Sequence, residues 1–177
     1  MVKPIILIIG AIPAIFALMF AVSLITQPEI PFSASNPNDV IDIEYTKYQL
    51  KKISNGVTDT LVSQKTEILA IKNNGDVTYT LTADGYPNPS IKSKIDEDKH
   101  KKLKALIKET GFIAIPSESF PILENVTDYQ KSNVKVVLNN QVNQIHWPEQ
   151  NATSKFIPPI ITMIESQLDQ IMKQVSE

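Results

Sequence analysis

The side chains that most often bind metal ions or carry catalysis are sparse in this chain. It contains no cysteine and only two histidines, His100 and His146. Zinc sites need several Cys or His residues at fixed spacings, and no such cluster and no HExxH motif occurs. We expect His100 to be exposed on a lysine-rich helix and His146 to be half buried beside Trp147. Neither is predicted to act as a metal ligand or a base.

Carboxylates form two groups whose spacing could support chemistry. Asp96, Glu97 and Asp98 are consecutive, but a calcium loop needs alternating oxygen ligands, a glycine and a distal glutamate. A helix that begins here explains them better, because Asp96 can cap it and acidic residues suit its positive end. Asp42 and Glu44 share one face of a predicted strand, but no sequence feature brings a partner to them. The sequence therefore predicts a non-catalytic protein without cofactor or metal.

One long loop, "SESFPILENVTDY", is the best candidate for contact with another protein. Phe120, Ile122 and Leu123 lie between Pro116 and acidic residues. Apolar residues on a proline-stiffened loop can act as a preorganised anchor for a protein partner. The alternative is that the loop folds back and covers a sheet edge.

Two segments match the acceptor sequence for N-glycosylation. They begin at Asn125 and Asn151, and both fall in predicted loops. Glycans at these positions would fit a location outside the cytoplasm.

Charge composition argues against binding to nucleic acid. The formal net charge is -2, whereas nucleic-acid-binding surfaces are clustered and basic. All the basic residues are lysine, so the chain lacks the planar fork that arginine offers to phosphate groups.

The N-terminal segment predicts attachment to a membrane. Residues Pro4 to Ile25 carry no charge, and as a helix they would span about 33 Å, enough for a bilayer core. We expect an anchor at residues 1–25 that is retained, with the rest of the chain outside the cytoplasm; the alternative is a cleaved signal and secretion. Residues 26–37 form a proline-rich linker, and residues 38–177 form one extracytoplasmic domain.

The remaining pattern predicts an α+β domain. Residues 40–47 alternate as a half-buried strand, and residues 66–83 read as a hairpin with its turn at Asn73–Asp76. "DGYPNPSIKSK" reads as a loop. A helix follows from Asp96 to Gly111, and "NVKVVLNNQVNQIHW" reads as a second hairpin.

The last predicted element is an amphipathic helix from Pro159 to Val175, on which Asp169 and Lys173 could pair across one turn. Two helices on one face of an antiparallel sheet of about five strands would bury these apolar stripes.

The order of these segments resembles a known family. "ISNGVTDTL", "ILAIKNNGDVTYTL", "IDEDKHKKLKALIKETGFIAIP", "NVKVVLNNQVNQIHW" and "PPIITMIESQLDQI" follow one another as in small extracytoplasmic domains of the emfourin-like type. That resemblance implies inhibition of thermolysin-like metallopeptidases by protein contact, and it carries over no binding residue. The lysine- and asparagine-rich composition resembles that of archaeal surface proteins.

Two functions from different classes follow. The first is a membrane-anchored protein-interaction module, either a peptidase inhibitor or an accessory subunit of a membrane complex. The second is a small-ligand-binding domain whose cleft would be lined by aromatic side chains. These are Tyr45, Tyr48, Tyr79, Tyr129 and Trp147.

Overall fold

The computed structural model describes residues 36, 38–54, 56 and 58–177. The predicted anchor and nearly all of the predicted linker lie outside the described residues. In the described part of the chain, no helix is both long and apolar enough to cross a bilayer.

The domain is built on one antiparallel sheet of seven strands, so the predicted α+β class is confirmed. The strands are β1 (Ile41–Ser54), β2 (Asp59–Ile71), β3 (Asp76–Ala83), β4 (Tyr86–Pro87), β5 (Ile91–Lys94), β6 (Asp128–Leu138) and β7 (Gln141–Pro148). Their order across the sheet is β4-β3-β2-β1-β6-β7, and β5 also pairs with β3.

The count of about five strands was too low because β4 and β5 lie in the segment predicted as a loop. Both are short and pair only with β3. Pro87 is compatible with a strand here because an edge strand can lack one backbone donor.

Two α-helices accompany the sheet, as predicted. The first, α1 (Glu97–Glu109), begins at the predicted cap, where the Asp96 side chain accepts hydrogen bonds from the backbone of Asp98 and Lys99. The second, α2 (Pro159–Ser176), starts with a proline at its first position, where no backbone donor is needed. The two helices contact each other.

The core lies on one face of the sheet. Ile43 and Tyr45 of β1 are buried, and their ladder partners Leu69 and Val134 are buried beside them. Strand geometry places every second side chain on the same face, so the predicted alternation of β1 is confirmed. Helix α2 packs on this face, because Glu165 accepts hydrogen bonds from β6 and β7 side chains.

The two ends of the sheet differ. We call the end where β1 begins the linker end. There Asp39 is buried and binds Lys108 of α1 and Asn139 of the β6–β7 turn. The hydrogen bond from Lys108 lowers the pKa of the Asp39 carboxyl. We call the opposite end the ribbon end, and we call Leu50–Ser54 and Asp59–Ser63 the ribbon. These two segments pair there beyond a register irregularity, and β3 no longer borders β2.

Candidate functional site

Two loops meet at the ribbon end, and we call residues 115–127 and 149–158 the loop pair. The backbone N–H of Leu123 donates to the carbonyl of Ala152 over 3.0 Å. The ammonium of Lys155 lies 2.7 Å from the Glu118 carboxylate and 5.2 Å from the centre of the Phe120 ring. These contacts fix each loop against the other.

The second loop is also held internally. The side chain of Gln150 accepts a hydrogen bond from the backbone of Ile157 at 3.0 Å and donates to the carbonyl of Lys155 at 3.1 Å. These two bonds bracket Phe156, whose side chain is 71% exposed. A large aromatic ring is therefore exposed to solvent on a segment whose backbone is fixed by hydrogen bonds on both sides of the ring.

The structure places the three apolar residues predicted from the first loop on this same surface. Phe120 and Ile122 are half buried, and Leu123 is 36% exposed. The start of the loop lies along β7, where Asn143 donates to the carbonyl of Ile115 at 3.0 Å. The loop thus borders the sheet edge at its beginning and meets the second loop further on. The binding of a protein partner by these three residues remains a prediction.

Sequence reasoning missed Phe156. The available signal was a single aromatic residue between the polar stretch "NATSK" and a proline pair, outside any strand or helix period. A lone apolar residue is common on protein surfaces, so it carries little weight without its neighbours.

The ribbon adjoins the loop pair. The backbone N–H of Lys52 donates to the carbonyl of Thr127 over 2.6 Å. The ribbon itself exposes Ile53, Leu61 and Val62. The ribbon end therefore combines these three side chains with Phe156 on neighbouring segments.

The two acceptor sequences for N-glycosylation differ in their solvent exposure. Asn125 and Thr127 are both exposed. Asn151 is exposed on a 3-10 turn, but the hydroxyl-bearing residue of its sequence, Thr153, is only 4% exposed and accepts a hydrogen bond from Lys155. In the folded protein only the sequence at Asn125 is accessible at both positions.

A groove of about 580 Å³ lies beside the second loop, between it and α2. At its floor the Glu165 carboxylate accepts hydrogen bonds from Ser132 at 2.6 Å and from the Trp147 indole at 3.0 Å. One turn further along the helix, Asp169 binds the Tyr45 hydroxyl at 2.8 Å and the Lys47 ammonium at 3.0 Å.

Glu165 and Asp169 are therefore committed to side chains of the sheet, and the third carboxylate of the groove, Glu149, accepts a hydrogen bond from the backbone of Gln130 at 3.2 Å. The predicted pair between Asp169 and Lys173 is wrong, because Asp169 faces β1 and binds Lys47, and Lys173 lies near Glu177 instead. Burial, and then the negative charges of Glu165 and Asp169, raise the pKa of the Tyr45 hydroxyl well above its usual range.

The aromatic residues suggested for a ligand cleft do not assemble into one. Tyr45, Tyr79 and Tyr129 are buried core residues, and Tyr48 is half buried. Of the five, Trp147 alone lines the groove, and its polar atom is already bound to a protein carboxylate.

The predicted solvent exposure of both histidines was wrong. His100 is buried at 8% exposure, and its Nε2 atom has no hydrogen-bond partner within the described structure. Burial and the nearby charge of Lys104 lower its pKa. His146 is exposed on β7. Within the described residues, no group of three or more acidic or histidine side chains could hold a metal ion.

Comparison with models of protein families and with curated proteins found no match for this chain.

Proposed function

We propose that this protein is a membrane-anchored interaction module outside the cytoplasm that binds another protein through the loop pair. The observation that carries the proposal is the display of Phe156, which is 71% exposed on a loop whose backbone is fixed on both sides of it. Preorganisation lowers the entropic cost of binding, and aromatic anchors supply much of the energy at protein interfaces.

The rest of the ribbon end supports a protein partner rather than a small molecule. Leu123, Ile53 and Leu61 are exposed on segments that hydrogen-bond to one another. Apolar side chains spread over several neighbouring segments suit a broad contact. A small ligand would need an enclosed pocket with unused polar groups, whereas the three carboxylates that line the groove, Glu149, Glu165 and Asp169, each already accept a hydrogen bond.

The predicted anchor at residues 1–25 gives this proposal its location, because it would keep the domain attached to the membrane and outside the cytoplasm. The partner would be another extracytoplasmic protein, either a peptidase to be inhibited or a subunit of a membrane complex.

Photo-cross-linking in native membranes tests this proposal. A photoreactive amino acid would replace Phe156 in the full-length chain, and a matched control would replace Val142, which is 59% exposed near the start of β7 at the linker end of the sheet. We expect one protein to be cross-linked from position 156 and not from position 142. Equal labelling from both positions, or no labelled protein, would refute the proposal.

The peptidase-inhibitor form of the proposal has a separate test. The purified full-length chain would be titrated into thermolysin with a peptide substrate. Inhibition at an equimolar ratio that is lost in Phe156→Ser would support this form. Unchanged peptidase activity would leave the accessory-subunit form.

A further inference from the structure

The free edges of the sheet are protected in all but one place among the described residues. Strand β5 carries Lys92 and Lys94, and β4 has two residues of which one is Pro87. Strand β7 ends in Pro148, and its Asn143 binds the backbone of the segment beside it. Lysine, proline, short length and covering segments are the usual means by which proteins prevent unwanted strand pairing.

The ribbon edge of β2 lacks such protection. Strand β2 pairs with β3 only from Lys65 onward. For residues 59–63, the described structure contains no backbone hydrogen bond other than those to β1. About half of the N–H and C=O groups of a strand point away from its single partner, so this edge presents unpaired donors and acceptors.

The side chains on this edge are suited to pairing with another strand. The sequence from Thr60 to Ser63 is "TLVS", without a lysine or proline, and the charge of Asp59 is already paired with Lys52 at 2.6 Å. Leu61 is 56% exposed and Val62 is 41% exposed. Because they are adjacent in a strand, they lie on opposite faces and could each contact an added strand.

We propose that the partner protein adds an extended segment to the β2 edge at residues 59–63, continuing the sheet by one strand. Main-chain hydrogen bonds would supply the contact, and apolar side chains next to Leu61 and Val62 would supply the selectivity. This inference rests on the proposed function, because the same partner would contact Phe156 and the β2 edge, which both lie at the ribbon end of the sheet. A protein strand fits here because the alternating donors and acceptors of a strand edge are complementary to another extended backbone.

Cross-linking from position 61 tests this contact. The photoreactive residue would be placed at Leu61 in the full-length chain, with Val142, which is 59% exposed at the linker end, as the matched control. We expect position 61 to label the same protein as position 156, and position 142 to leave it unlabelled. In a second variant, Val62→Lys would be combined with the photoreactive residue at position 156. We expect labelling from position 156 to fall at least about tenfold, because a lysine on a strand edge opposes pairing with another strand.

Amide hydrogen exchange separates a backbone contact from a side-chain contact. In the purified complex we expect the amides of residues 59–63 to exchange more slowly than in the free protein, since strand addition protects them. Labelling from position 156 with neither labelling nor protection at 59–63 would overturn this inference and leave the proposed function intact. No labelling from either position would refute both. A second copy of this chain labelled from position 61 would assign the edge to self-association and overturn the inference.

Discussion

Replacing Glu165 tests whether its carboxylate joins α2 to the sheet. In Glu165→Ala, the hydroxyl of Ser132 and the indole N–H of Trp147 lose their acceptor, and both residues are 2% exposed. A buried donor without an acceptor costs about 1–3 kcal/mol. Two such donors give an expected loss of about 2–6 kcal/mol, a large part of the roughly 5–15 kcal/mol that stabilises a typical domain.

The conservative change separates charge from hydrogen bonding. In Glu165→Gln, the amide oxygen can still accept from the Trp147 indole, and the amide nitrogen can donate to the Ser132 oxygen. We expect a loss of about 1–2 kcal/mol, because hydrogen bonds to a neutral acceptor are weaker. The control is Glu118→Ala, which removes a half-exposed ion pair and should cost at most about 1 kcal/mol.

Urea unfolding followed by the fluorescence of Trp147 measures these differences. Trp147 is the single tryptophan of the chain and lies at the perturbed hydrogen bond, so its signal reports on this site. The reasoning would be refuted if Glu165→Ala unfolded at the same urea concentration as Glu118→Ala.

Three further predictions concern buried charge and modification. Because burial lowers the pKa of His100, the fold favours its neutral form. Stability should therefore fall as pH drops below about 6.5, and His100→Leu should make that fall smaller in urea titrations at pH 5 and 7.5. The lowered pKa of Asp39 means that its contribution is present above about pH 3.9 and is lost on further acidification. Asp39→Asn should therefore lower the free energy of unfolding by about 1–2 kcal/mol at pH 7, and a deficit in thermal melts that is as large at pH 3 as at pH 7 would contradict this. In a host that attaches N-linked glycans, the intact mass of the protein should show a glycan. Asn125→Gln should remove this glycan and Asn151→Gln should leave it in place. The reverse result would refute the argument that only the sequence at Asn125 is accessible.

Local signals in the sequence were sufficient for the helix ends and for two of the turns. The Asp96 cap involves residues two and three positions away, so it can be recognised without knowledge of the rest of the fold. The turn at Gly75 has a φ of +83°, a conformation that glycine adopts without steric cost. Both features were predicted correctly for this reason.

Features that depend on distant residues could not be predicted. In the sequence, Glu165 has the spacing of a surface residue on an amphipathic helix, and its partners Ser132 and Trp147 come from two distant strands. The ribbon was missed because its residues are exposed on both faces and show no hydrophobic alternation. The loop pair depends on contacts between segments on either side of the β6–β7 hairpin. Phe156 became a candidate binding residue only once those contacts were known.

Recovery of partners from native membranes tests the central claim most directly. Full-length chains carrying a C-terminal tag would be solubilised gently as the unchanged protein, Phe156→Ser and Val142→Ser, and the retained proteins would be quantified. The two substituted residues are 71% and 59% exposed, so the fold should tolerate each change. We expect the unchanged protein and Val142→Ser to retain one protein near equimolar amount, and Phe156→Ser to retain at least about tenfold less. Equal retention by all three chains, or no retained protein, would contradict the claim that the loop pair binds a partner.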